Sequence, residues 1–236
     1  MKLGLIQLIA VLLYSCSSYK PKKDKIFIKN REFIYQVIYI TKNGDTLSNE
    51  NISLKPLDRR WVGQCRVQES IKYCFNSDTV DLSPIRESKQ ILINYQKKEI
   101  TGATVTDDFC FVHPPRANQY YMLRYAGYPY MQYEFLTDTL SSFKFVLREI
   151  GKVKYEHLYT ITPIKFSINS SYQLSNCWQV NIESEVTGLS DYWKKYHMHN
   201  STCEGIFSKE YGYIKLHYLF EDGIKIQFDL IDIIEK

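Results

Sequence analysis

The chain predicts a mainly β protein: a single domain of curved antiparallel sheet, half-barrel or barrel-like, with little helix. Three observations carry that expectation. The ending YGYIKLHYLF-EDG-IKIQFDLIDI, residues 211 to 233, alternates apolar and polar side chains on both sides of a Gly-containing turn. Tyr and Phe are abundant, 20 and 12 residues in a chain of 236, and both suit a pleated, half-buried surface. Helical periodicity is nearly absent, so an apolar sheet face must close on itself or hold something else.

The elements follow in order. FIYQVIYIT, residues 33 to 41, is β-branched and aromatic, and Lys42-Asn43-Gly44-Asp45 supplies a hairpin turn because Asn-Gly tolerates positive φ. TLSNENISLKP returns as far as Pro56. ILINYQKKEITGATV and DDFCFVHPP come next, with Gly102 allowing a bend. FKFVLREI fits a strand or a short helix, and KYEHLYTITPIKFSI and CWQVNIESEVT read as strands. At the C-terminus a period of two places Ile214, Leu216, Tyr218, Phe220, Ile226 and Phe228 on one face. Glu221-Asp222-Gly223 is the turn between them, with Gly where a left-handed residue is needed. No repeat and no Pro/Gly/Ser linker divides residues 30 to 236, which are expected to form one antiparallel β domain.

The N-terminus gives an address. Residues 1 to 15 read as a signal peptide: Met1-Lys2, then LGLIQLIAVLL, an apolar run too short to cross a bilayer. Leu13-Tyr14-Ser15-Cys16 resembles a bacterial lipobox, with a small residue before the cysteine. The resemblance implies cleavage before Cys16 and lipid attachment to its thiol. Buried acyl chains contribute about 0.8 kcal/mol per CH2, so two or three anchor firmly. Residues 16 to 29 are polar and Lys-rich and form the expected tether. The expectation is an exported protein anchored to a bacterial membrane, the outer one, by its N-terminal lipid.

Charge and cysteines narrow the classes. A net charge of +4, spread along the chain, is too mild for a nucleic-acid partner. Cys65 and Cys74 flank one expected hairpin and Cys177 and Cys203 a longer excursion, so each pair is a candidate disulfide. Cys110 is then left over, and the alternative of buried thiols acting as small hydrophobes stays open.

One stretch draws attention as a site. In Phe111-Val112-His113-Pro114-Pro115-Arg116 the prolines cannot donate ladder hydrogen bonds, so the strand should end there. That leaves His113 and Arg116 near a sheet rim. Seven aromatics follow between Tyr120 and Phe135. The candidate ligand groove or rim is His113, Arg116, Tyr120, Tyr121, Tyr125, Tyr128 and Tyr130, with Tyr218 and Phe228 from the apolar face. Other chemistries have weaker support. His197 and His199 flank Met198 four residues before Cys203, which alone does not make a metal site. Glu183 and Glu185 read as a solvated strand face, and Ser170-Ser171 lacks a nucleophile elbow. There is no P-loop, GxGxxG or EF-hand loop. No catalytic residue, metal or cofactor is expected, and no enzyme.

HPPR, YPY, CWQVNIESEVTG and FSKEYGYIKLHYLFEDGIKIQFDLI, within residues 90 to 233, resemble outer-envelope lipoproteins of Bacteroidota whose activity is uncharacterised. The resemblance implies a curved sheet similar to periplasmic carriers that cup acyl chains. Two readings remain. One is a lipid-anchored carrier or binding module for a hydrophobic or amphipathic ligand. The other is an envelope interaction or assembly protein that docks a protein or glycan through a Tyr-rich surface.

The lipobox generates a direct test. Metabolic labelling with a fatty-acid analogue should mark the protein, and Cys16→Ala should abolish the mark. Labelling that persists in the variant would remove the anchor.

Overall fold

A computed structural model describes residues 26–63, 66–76, 95–124, 126–150, 153–168, 172–188 and 200–236. Twelve strands occur in chain order: β1 (Arg31–Ile40), β2 (Thr46–Gly63), β3 (Arg66–Phe75), β4 (Lys98–Val105), β5 (Phe109–Val112), β6 (Tyr130–Gln132), β7 (Ser141–Ile150), β8 (Val153–Ile168), β9 (Tyr172–Thr187), β10 (Ser201–Ser208), β11 (Gly212–Phe220) and β12 (Lys225–Glu235). Two 3-10 segments, Asn118–Arg124 and Tyr133–Phe135, are the helical pieces among the described residues. FKFVLREI is therefore strand, part of β7.

All twelve strands lie in one antiparallel sheet, ordered β6-β5-β4-β3-β2-β1-β12-β11-β10-β9-β8-β7. Neighbours in sequence are mostly neighbours in space, as hairpin connections favour. The exceptions are β6 and β7, consecutive in sequence but at opposite ends of the sheet, and β1 against β12, which brings the two ends of the domain together. Arg31 fastens that junction. Its Nε donates to Glu235 at 2.9 Å and its Nη1 to the carbonyls of Ile26 and Glu210. Ile26 and Phe27, at the end of the expected tether, already pack into the core.

The period-two reading holds where it was clearest. β1 alternates buried and half-buried residues along its whole length, with Phe33, Tyr35, Val37 and Tyr39 inward. Ile214, Leu216, Tyr218, Phe220, Ile226 and Phe228 are all buried. The β11–β12 turn closes through Gly223 N–H to the Phe220 carbonyl at 2.9 Å, with Gly223 at φ +88°. Gly44 plays the same part after β1, at φ +90°. β2 continues beyond Pro56 to Gly63. The register with β3 shifts between Pro56 and Arg60, a bulge that absorbs a residue with no ladder donor.

The expected half-barrel or barrel is not formed. The sheet is open: β6 and β7 are its two ends and no backbone ladder joins them. The apolar face does not need to close on itself, because the chain covers it. Residues 117 to 137 cross that face and reach strands far apart in the sheet. Tyr120 stacks on Phe75 of β3 and packs against Phe228 of β12. Gln119 and Tyr120 both donate to the buried Glu50 carboxylate of β2, at 2.7 and 2.8 Å. Gly127 lies on β9, where an added Cβ would sit 2.9 Å from Ser184 Oγ and 3.0 Å from Ile182 Cγ2. Tyr130 stacks on Phe145 of β7 at 4.3 Å, and Trp178 Nε1 donates to the Thr137 carbonyl.

A segment outside the ladder must find partners for its own carbonyls in a dry interior. Tyrosine hydroxyls from the sheet supply them. Tyr73 donates to the His113 carbonyl (3.0 Å), Tyr159 to Tyr128 (2.9 Å) and Tyr213 to Tyr130 (2.9 Å). Burial raises the pKa of Tyr73, Tyr159 and Tyr213 well above the ordinary phenol value, so they remain donors at any physiological pH.

Tyr213→Phe keeps the ring and removes one such donor, leaving the Tyr130 carbonyl buried without it. Urea unfolding should show a loss of about 1–3 kcal/mol. An unchanged midpoint would mean that this bond does not hold the segment down.

Candidate functional site

The crossing segment relocates most of the expected ligand rim. Tyr120, Tyr128 and Tyr130 are buried core residues rather than a surface, and Tyr121 is half-buried. Tyr218 and Phe228 lie beneath them, at 2% and 5% exposure. Tyr125, Cys16, Cys65, Ser170-Ser171, His197 and His199 lie outside the described residues. A strand with exposed Tyr and one with buried Tyr have the same alternation. What decides between them is the covering segment, which no local pattern announces.

Cys65, the expected partner of Cys74, lies outside the described residues, and Cys74, Cys177 and Cys203 are thiols in this structure. Cys74 is a thiol in the body of β3, which stays paired with β2 as far as Gly63↔Arg66. Cys177 and Cys203 are buried thiols on adjacent strands, out of register: Cys177 opposes Ser208 and Cys203 opposes Ile182. Burial raises both thiol pKa values, which disfavours the reactive thiolate.

Among the described residues an interior void, lined by Tyr35, Tyr73, Pro114, Pro129, Tyr218 and Phe228 among others, measures about 30 Å³. That admits a water or two. Small-molecule pockets run to roughly 300–1,000 Å³.

His113 and Arg116 do come together. β5 ends at Val112, and Pro114-Pro115 carries the chain round so that Arg116 Nη2 donates to His113 Nδ1 at 2.7 Å and to the Tyr128 hydroxyl. Glu99 Oε2 accepts the backbone N–H groups of Arg116 and Ala117 at 2.7 and 2.8 Å. Burial, and then the neighbouring guanidinium, push the His113 pKa down to about 4. His157, fully buried against Tyr128, Tyr159 and Phe145, bonds Ser184 Oγ at 2.8 Å, and burial pushes it down to about 4 as well.

A larger space lies on the opposite side of the sheet. A groove of about 740 Å³ runs over β7 to β11, lined by Lys144, Glu156, Leu158, Glu183, Glu185, Thr202, Leu219 and Glu221 among others. One rung of cross-strand partners forms its floor: Lys144↔Leu158↔Glu183↔Thr202↔Leu219. Leu158 and Leu219 are 41% and 45% exposed and share this rung. Glu156 is bridged by Lys144 and Lys154 at 2.7 and 3.0 Å, which hold its carboxyl below the usual range. Glu183 and Glu185 point outward on β9 without a basic partner among the described residues. Of the groove residues the sequence singled out only this pair, as solvated. A signal for the others was present. Leu219 breaks the inward alternation of Leu216, Tyr218 and Phe220, and Leu158 falls between inward His157 and Tyr159.

The two histidines make stability depend on pH. In the unfolded chain they take up protons near pH 6.5, in the folded one only near pH 4. Their contribution is therefore complete above about pH 6.5 and is lost as the pH falls toward about 4. Thermal midpoints should drop over that interval, and less so in the double variant His113→Phe/His157→Phe. Equal slopes in the two proteins would refute this assignment.

No family model and no curated protein matches the chain. Among solved structures it is similar to "a putative lipoprotein" from Parabacteroides distasonis, at 10% identity over 88% of this chain and 96% of that one, with a TM-score of 0.37. An overlap of that size carries no argument about site or chemistry.

Proposed function

We propose that this protein is a lipid-anchored docking module of the bacterial envelope. Acylated Cys16 holds it to the membrane, and the β7–β11 groove receives a basic segment of another envelope protein. The observation that carries the reading is the contrast in space: about 740 Å³ in the outer groove against about 30 Å³ under the crossing segment. A carrier needs an interior volume for its ligand, and docking through tyrosines needs them exposed; the burial of Tyr120, Tyr128 and Tyr130 favours neither. The lipobox-like Leu13-Tyr14-Ser15-Cys16 supports the address.

The groove chemistry selects the occupant. Its carboxylates, Glu183 and Glu185 foremost, favour a cationic partner, and charge complementarity of this kind gives specificity and speed of association. Leu158 and Leu219 stand three strand spacings apart, roughly 14 Å at 4.7–4.9 Å per strand. An extended chain covers that distance in about four residues. The matching segment carries aliphatic side chains four residues apart with Lys or Arg between them.

Fluorescence anisotropy with the peptide Leu-Ser-Lys-Ser-Leu, whose Lys shares a face with both Leu in an extended chain, and with the same peptide carrying Glu for Lys, tests this. The basic peptide should bind and the acidic one should not. Binding should weaken with salt, and Glu183→Lys/Glu185→Lys should weaken it at least about tenfold. Equal binding of both peptides, or an unaffected variant, would sink the groove reading.

A further inference from the structure

His113 and Arg116 form a second feature, distant in the sheet order from the outer groove. Arg116 has only donors. Its bond to His113 Nδ1 therefore fixes the imidazole tautomer: Nδ1 accepts, and the ring proton sits on Nε2. The Arg116 guanidinium is held firmly, by that bond, by the Tyr128 hydroxyl and by its position over the Tyr128 ring at 5.9 Å. The His113 ring is fixed edge-on to Phe111 at 4.7 Å.

The cluster has more donors than acceptors. Arg116 Nε is buried with no partner. Among the described residues nothing accepts from Arg116 Nη1 or His113 Nε2 either, and neither atom is sealed from solvent. Glu99, the carboxylate beside them, makes no ion pair with the guanidinium; its Oε2 takes the two backbone N–H groups. Guanidinium N–H groups are matched in geometry to oxygen pairs on carboxylates and phosphates. An unmatched buried donor costs stability, so a site that keeps one has a reason for it.

We propose that Arg116 and His113 form a binding site for a small oxyanion group, a carboxylate or a phosphate, held by the accessible Nη1–H groups of Arg116 and by His113 Nε2–H. The imidazole serves as a neutral donor and the guanidinium supplies the charge. The oxyanion belongs to a protein terminus or acidic side chain, or to a phospholipid headgroup; the chemistry at Arg116 is shared.

The test uses isotopically labelled mature chain and the Arg116 Nε–H and His113 ring signals. Acetate and inorganic phosphate are titrated at constant ionic strength against sodium chloride. At least one should give a saturable shift, with a dissociation constant on the order of 1 mM or below. Arg116→Lys keeps the charge and loses the planar donor set; His113→Phe keeps the packing on Phe111 and loses the ring donor. Each should weaken binding about tenfold. Saturation by acetate alone assigns a carboxylate ligand. Saturation by phosphate, with competition by phosphatidic acid vesicles, assigns a lipid headgroup. A linear shift, the same response to chloride, or unchanged binding in both variants would mean an adventitious ion only and overturn the proposal.

Discussion

The fold rests on one constraint: a stretch of chain with little strand of its own lies on the buried face of a sheet, and several of its backbone carbonyls have no ladder to bond to. Each would cost on the order of 1–3 kcal/mol if left without a donor. The sheet answers with tyrosine. Tyr73, Tyr159 and Tyr213 reach the carbonyls of His113, Tyr128 and Tyr130 while their rings fill the core. Phenylalanine would pack and not donate; serine would donate and not pack. Pro114, Pro115 and Pro129 ease the same problem from the other side, since each removes an N–H that would otherwise need an acceptor.

The same covering segment fills much of the apolar face. A void of about 30 Å³ lies on that side and a groove of about 740 Å³ on the other. The long end strand is protected against uncontrolled pairing. β7 carries Lys144, and its register with β8 shifts between Val146 and Arg148; β6 at the other end is three residues long. Charges, bulges and short length all discourage edge-to-edge association. The groove beside β7 presents charged and aliphatic side chains, Lys144, Glu156 and Leu158 among them.

Buried polar groups mark where the segment is pinned. Glu50 receives Gln119 and Tyr120 at one end of the crossing, and His157 with Ser184 lies under Gly127 and Tyr128 further along. Directional bonds of this kind fix register where apolar contacts alone would tolerate sliding. Gly127 is required there because any side chain would collide with Ser184 and Ile182.

The sequence by itself determined the clearest strands, β1, β11 and β12, with their turns and inward face. Alternation is a local property, and Ile214 through Phe228 reads the same in the chain as in the sheet. The Asn-Gly and Asp-Gly turns are local too, since their glycines answer a backbone requirement at one position. The sequence also brought His113 and Arg116 to one rim, because Pro114-Pro115 ends a strand wherever it occurs. Only the tertiary structure decided what the inward face meets. Closing the sheet and covering it with residues 117 to 137 satisfy the same periodicity, and the choice depends on contacts from β2 to β9 that sequence spacing does not encode. For that reason Tyr120, Tyr128 and Tyr130 became core instead of rim, Cys177 and Cys203 came to lie out of register on adjacent strands, and the outer groove emerged from a rung of five residues contributed by five strands.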